Sequence, residues 1–150
     1  GRLELHSLNP IILLDGAHNL AGMNVLCNFL KEHEFELFEN KNSVCIVGIS
    51  NGKDVKAMLS KLSEFFDSII IVNAEHRAIP KEEVALIAVD LFADVEICNL
   101  TDAIDLACEK VGKEGFILVS GSLYVVGDVL KEINKKKTDG FNLKGAIGNV

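Results

Sequence analysis

The chain has 150 residues, 15 of them basic and 22 acidic, for a formal net charge of −7; that length suits one domain. Its 49% hydrophobic and 25% charged residues make a globular balance and exclude intrinsic disorder. The acidic balance lacks the basic footprint that a nucleic-acid backbone demands, and no apolar run approaches the roughly 18–20 residues of a bilayer span.

With eight Phe, one Tyr and no Trp, platforms for stacked bases are scarce as well. Neither nucleic acid nor a membrane is expected as a partner. The opening residues lack the pattern of a signal peptide, and four cysteines without a paired spacing lead to the expectation of a cytoplasmic location. The chain opens on Gly1-Arg2 without an initiator Met, and is expected to be a processed or truncated piece of a longer protein.

The elements follow in chain order. Leu3-Glu4-Leu5-His6-Ser7 alternates apolar and polar residues, as a half-exposed edge strand does. A turn over residues 7–10 leads into Ile11-Ile12-Leu13-Leu14, a continuous apolar run suited to a buried strand. These two are close enough to pair as an antiparallel hairpin. Residues 19–33 set Leu20, Met23, Leu26, Cys27 and Leu30 on one helical face. Residues 44–49 read as a buried strand, and residues 53–66 as a helix with Val55, Met58, Leu59, Leu62 and Phe66 in one stripe. A strand over 68–72 follows. Pro80 suits the first position of a helix through Phe92, where its missing N–H costs nothing. Residues 95–98 form a short strand, and Thr101 is expected to cap a helix over 102–111. A strand over 116–119 precedes a last helix over 122–137, and residues 138–150 have neither period and are expected to be a flexible tail.

Strands separated by helices in this rhythm predict an α/β fold: a Rossmann-like, mostly parallel six-stranded sheet with an antiparallel first strand and helices on both faces. Cys27, Cys45, Cys98 and Cys108 sit in apolar runs without a CxxC pair. They read as buried thiols rather than a zinc site or a disulfide framework.

In an open parallel sheet, ligands bind outside the carboxyl ends of the strands, so the residues just after each strand are the ones to inspect. Asp15-Gly16-Ala17-His18-Asn19 follows the second strand. Its carboxylate can accept from a diol, and Asn19 can cap a helix whose N-terminus favours anions. The same residues also serve an ordinary strand–turn–helix junction. Ser120-Gly121-Ser122-Leu123-Tyr124 offers two hydroxyls and a helix N-terminus, a cradle for a carboxylate and equally a common turn. Ser50-Asn51-Gly52-Lys53-Asp54 reads more simply as the start of the next helix. Glu75-His76-Arg77-Ala78 holds an arginine that can clamp an anion or stand solvated in a loop. His6 and His33 have no carboxylate at useful spacing and read as structural or solvent-facing. No P-loop, HExxH, nucleophile elbow or paired-carboxylate motif occurs, so no catalytic or metal-ligating residue is expected in this domain.

Taken together, Gly1-Arg2-Leu3, Asp15-Gly16-Ala17-His18-Asn19 and Gly121-Ser122-Leu123-Tyr124-Val125-Val126-Gly127, with Lys53-Asp54 and Arg77-Ala78 in the same order, resemble the C-terminal domain of the folylpolyglutamate synthase and dihydrofolate synthase family. That family belongs to the Mur-ligase-like ATP-dependent amide ligases. Leu20 stands where the family commonly has Pro. The resemblance implies a ligase that adds L-glutamate to a folate, or to dihydropteroate, through an acyl phosphate made with ATP. It implies that residues 1–137 are the closing domain, and that an N-terminal ATPase domain outside this sequence supplies the P-loop and the Mg²⁺ ligands. Carried over residue by residue, Arg2 and Asp15 would hold ATP, at its phosphates and ribose. His18 and Ser122, with Tyr124 close by, would line the glutamate pocket. Alone, such a domain is expected to be inactive. Two other readings stay open: a free-standing nucleotide- or anion-binding module without catalysis, and a scaffold that associates through an apolar patch.

Overall fold

The computed structural model describes residues 3–73 and 77–138. Its elements are β1 (Glu4–Leu8), β2 (Ile11–Leu14), α1 (Leu20–Glu32), α2 (Glu34–Phe38), β3 (Ser43–Val47), α3 (Val55–Ser63), β4 (Ser68–Ile71), α4 (Lys81–Ala88), β5 (Asp94–Ile97), α5 (Leu100–Val111), β6 (Phe116–Ser120) and α6 (Leu123–Thr138). One six-stranded sheet runs in the order β1-β2-β6-β3-β4-β5. Strand β1 lies antiparallel to β2, with Leu5 opposite Leu13 and a register shift before Ser7. Every other pairing is parallel. The expected α/β, Rossmann-like sheet with an antiparallel first strand is the observed one.

Because side chains alternate along a strand, the apolar runs feed two cores. On one face Leu13, Cys45, Val47, Ile69, Ile71, Phe116 and Leu118 meet Met23, Leu26 and Leu30 of α1, Met58, Leu59 and Leu62 of α3, and Val84 and Ala88 of α4. On the other, Ile12, Leu14, Val44, Ile46, Ile70, Ile117 and Val119 meet Ala103, Ile104 and Ala107 of α5 and Val125, Val129 and Ile133 of α6. At the exposed edge strand β5, Lys110 of α5 reaches Asp94 at 2.7 Å and Glu96 at 3.0 Å. That cation blunts an edge otherwise open to another strand.

Several expected boundaries move, each for a local reason. Asp54 caps α3 by accepting from the Ala57 N–H at 3.1 Å, so the helix starts at Val55 rather than at 53. Pro80 is extended at ψ 134 and precedes α4 as its cap residue, not as its first helical residue. That helix ends at Ala88, short of Phe92. Asn99 precedes α5, so Thr101 lies within the first turn instead of capping it. Helix α2 was not expected at all: five residues carry too little periodicity to read. Tertiary packing holds it, with Phe38 against Phe66 at 5.3 Å and Phe116 at 5.2 Å, both edge-on. Helix α6 runs to Thr138, and the remainder of the expected tail, 139–150, lies outside the described residues.

Phe116 joins this ring cluster to the start of the central strand and is wholly buried. Phe116→Ala is expected to lower unfolding free energy by about 3–5 kcal/mol, read as a lower urea midpoint with unchanged slope.

Candidate functional site

Strand β6 lies between β2 and β3, and the three strands send the chain in opposite directions. Strands β2 and β3 lead into α1 and α3 on one face, whereas β6 leads into α6 on the other. Where neighbouring strands diverge in this way, their carboxyl ends open a crevice. Backbone bonds stitch its walls together. The Asp15 N–H donates to the Val119 carbonyl at 3.0 Å and the Gly121 N–H to the Ala17 carbonyl at 3.1 Å. Between the turn after β3 and the loop after β4 the Asn51 N–H donates to the Arg77 carbonyl at 2.6 Å and the Ile79 N–H to the Ile49 carbonyl at 2.7 Å. Gly121 has φ +99, and a Cβ there would stand 2.6 Å from the Gly48 carbonyl oxygen. Only glycine meets both conditions.

The crevice holds a cleft of about 540 Å³, with Lys53 and Arg77 among its lining residues. His18 comes to it from the β2 turn, Ser50 and Asn51 from the β3 turn, and Ser122, Leu123 and Tyr124 from the start of α6. Arg77 sits at φ 54, a left-handed conformation uncommon for a non-glycine residue and enriched at functional sites. His18 Nδ1 lies 3.0 Å from the Gly16 carbonyl. A carbonyl only accepts, so Nδ1 carries the proton and Nε2 of the neutral ring is an acceptor. The Ser122 hydroxyl accepts from the Tyr124 N–H at 3.0 Å and lies 3.5 Å from Ser50 Oγ. Only 1% of the residue is exposed, and its bond to the Tyr124 N–H holds the start of α6.

A second, smaller hollow of about 210 Å³ lies on the α1 side. Leu3, Ala17, Gly22, Val25 and Leu26 line it, and Asp15 is its one carboxylate. Asp15 is 5% exposed. Burial pushes its carboxyl above the usual range, against an opposing hydrogen bond from the Ala17 N–H. The structure therefore brings His18, Ser122 and Tyr124 together and sets Asp15 apart from them. Arg2 and His76 lie outside the described residues. In the sequence Lys53 and Arg77 each have an ordinary reading, as a helix start and a loop charge. What marks them is the adjacency of the turns after β3 and β4 to the β6 turn, which depends on strand order. Among the described residues no three His, Cys, Asp or Glu side chains are grouped to hold a metal, and no helix is long and apolar enough to cross a membrane.

Comparison with known proteins gives these turns a lineage. The family model described as dihydrofolate synthetase, C-terminal domain, matches residues 3–132. The chain belongs to this family. It is 36% identical over 115 residues to the dihydrofolate synthase/folylpolyglutamate synthase of Mycobacterium tuberculosis, which covers 74% of this chain and 23% of that protein. To the Bacillus subtilis protein of the same description it is 30% identical over 139 residues, covering 89% of this chain and 30% of that one. Among solved structures, the Mycobacterium tuberculosis folylpolyglutamate synthase complexed with ADP and AMPPCP matches with a TM-score of 0.76 at 31% identity, over 87% of this chain and 31% of that one. The folylpolyglutamate synthase of Thermotoga maritima matches with a TM-score of 0.71 at 27% identity, over 93% of this chain and 31% of that one. The chain thus spans a quarter to a third of the length of the relatives it matches.

The buried carboxyl of this family member predicts a pH effect. Folded Asp15 holds its proton more tightly than the unfolded chain does, so unfolding free energy falls as pH rises from the unfolded value of 3.8 through the raised folded one. Asp15→Asn removes that slope while keeping an acceptor for the Ala17 N–H. Urea unfolding at about pH 4 and pH 8 should show the variant gaining on the native chain at the higher pH.

Proposed function

We propose that this chain is the glutamate-receiving C-terminal domain of an ATP-dependent ligase that joins L-glutamate to a folate, or to dihydropteroate. The observation that carries the reading is the pair of unlike sites at one crevice. A largely apolar hollow with a single buried carboxylate suits a nucleoside, whose ribose diol donates to Asp15. A cleft with two cations suits a dicarboxylic amino acid, because Lys53 and Arg77 offset its two negative charges. The N-terminus of α6, held by Ser122, adds a partial positive charge on the same side. Tyr124 supplies a half-exposed ring at the rim.

In the proposed reaction ATP phosphorylates the folate carboxylate. The glutamate amine then attacks the acyl carbon and phosphate leaves, so the C–N bond replaces the C–O bond. The amine must arrive with its nitrogen lone pair aimed at that carbon. In the tautomer that donates Nδ1–H to the Gly16 carbonyl, Nε2 of His18 can accept from an amine N–H and hold it there. Residues 1–137 form the closing domain in this reading, with Arg2 directed to the ATP phosphates. An N-terminal ATPase domain completes the protein with its P-loop, and the whole acts in the cytoplasm. In this reading the Mg²⁺ ligands, like the P-loop, belong to that other domain. There the ion would offset triphosphate charge.

Steady-state kinetics on the two-domain protein test this division. Lys53→Ala and Arg77→Ala are each expected to raise the glutamate KM roughly ten- to a hundredfold, the cost of one lost charge-assisted hydrogen bond, with the ATP KM little changed. Asp15→Ala should raise the ATP KM instead. Equal effects on both substrates would overturn the assignment. The 150-residue chain alone should show no ATP-dependent glutamate ligation. Ligand affinity in that chain equal to the two-domain protein's would favour a free-standing binding module instead.

A further inference from the structure

We infer that Ser120 is a positioning residue for Asp15: its hydroxyl donates to the Asp15 carboxylate and fixes it as an acceptor when nucleotide is bound. The inference rests on the reading of Asp15 as the nucleotide-ribose residue. Ser120 ends β6, and its residue is wholly buried. Its Oγ has no hydrogen-bond partner among the described residues. A buried hydroxyl without a partner is costly and uncommon, and here it stands at the carboxyl end of the central strand, beside the crevice.

Register decides which group it serves. On the β3 side Ser120 is opposite Val47, which offers no polar atom. On the β2 side Leu13 is opposite Leu118 and Leu14 opposite Val119, and the Asp15 N–H continues the ladder to the Val119 carbonyl. Asp15 is therefore the next residue across from Ser120, one strand spacing away, about 4.8 Å. Both follow Leu13 and Leu118 by two positions, and those leucines belong to the core under α1 and α3. By strand alternation the two polar side chains emerge on that same face. The hollow that Asp15 shares with Gly22 and Leu26 of α1 places its carboxyl there directly.

The Ala17 N–H already serves the Asp15 carboxylate. A carboxylate that must also accept from a ribose hydroxyl gains orientation from a second fixed donor. Ser120 is the neighbour able to supply one, by rotation about its Cα–Cβ bond. Without that role the hydroxyl is only a defect, and its removal should be neutral or stabilising.

The two cases separate in the two-domain protein, using Ser120→Ala, Ser120→Thr and Asp15→Ala, with ATP and glutamate varied independently. The inference expects Ser120→Ala to raise the ATP KM about five- to tenfold, with the glutamate KM and kcat within twofold by the same reasoning. The unfolding midpoint should be unchanged or higher, and Ser120→Thr, which keeps the hydroxyl, should restore the ATP KM. If Asp15→Ala raises the ATP KM while Ser120→Ala does not, Asp15 keeps its role and the Ser120 inference is overturned. If Asp15→Ala also leaves the ATP KM unchanged, the nucleotide reading of Asp15 falls and this inference with it. A lowered midpoint with both KM values raised together would make Ser120 a packing residue and overturn the inference as well.

Discussion

Strand β6 is the constraint around which the domain is arranged. All five of its residues are hidden from solvent, because parallel strands flank it on both sides and helices cover both faces. A strand in that position has to be short and almost wholly apolar. Its neighbours β2 and β3 turn toward one layer of helices while β6 turns toward the other, and the walls of the crevice separate as a result. The site is thus a consequence of topology. Three turns meet where the sheet can no longer continue as a flat, covered layer.

Around that point the molecule departs from what stability alone would favour. Asp15 keeps a carboxyl in a hollow that raises its pKa, Arg77 holds a left-handed backbone, and Ser120 buries a hydroxyl without a partner among the described residues. Each costs stability in the absence of a ligand. Ser120 ends β6, Asp15 directly follows β2 and Arg77 lies in the loop after β4, all at the carboxyl ends of strands. The surrounding cores are ordinary by comparison, apolar on both faces and closed at one end by the rings of Phe38, Phe66 and Phe116. A rigid scaffold of that kind is what allows local strain to persist at one end of a sheet.

The placement of functional groups follows the same logic. His18 and Asp15 are three residues apart in sequence, yet they border different hollows, because Asp15 still belongs to the register of β2 while His18 lies beyond it in the turn. Lys53 and Arg77 are 24 positions apart in the chain and line one cleft, because backbone bonds from Asn51 to Arg77 and from Ile79 to Ile49 draw the two turns together. In each case a neighbouring strand, and not sequence proximity, sets the partner.

Much of this was legible in the residues themselves. Alternation in Leu3-Glu4-Leu5-His6-Ser7, unbroken apolar runs at residues 11–14 and 116–119, and helical stripes such as Met58, Leu59 and Leu62 reflect local periodicity, which a chain carries whatever surrounds it. The turn Asp15-Gly16-Ala17-His18-Asn19 and the turn Gly121-Ser122-Leu123-Tyr124 likewise mark themselves by composition and by position after a strand. Strand order carries no such mark. That β6 inserts between β2 and β3 is set by how two helix layers pack, and it alone makes Lys53 and Arg77 partners of His18 and leaves Ser120 beside Asp15. Helix α2 exists for the same reason, since its five residues are held by rings distant in sequence. The sequence by itself determined the elements and the chemistry available at their ends. The tertiary structure decided which ends meet, because cross-strand neighbours are chosen by burial over the whole sheet and not by any property of the residues alone.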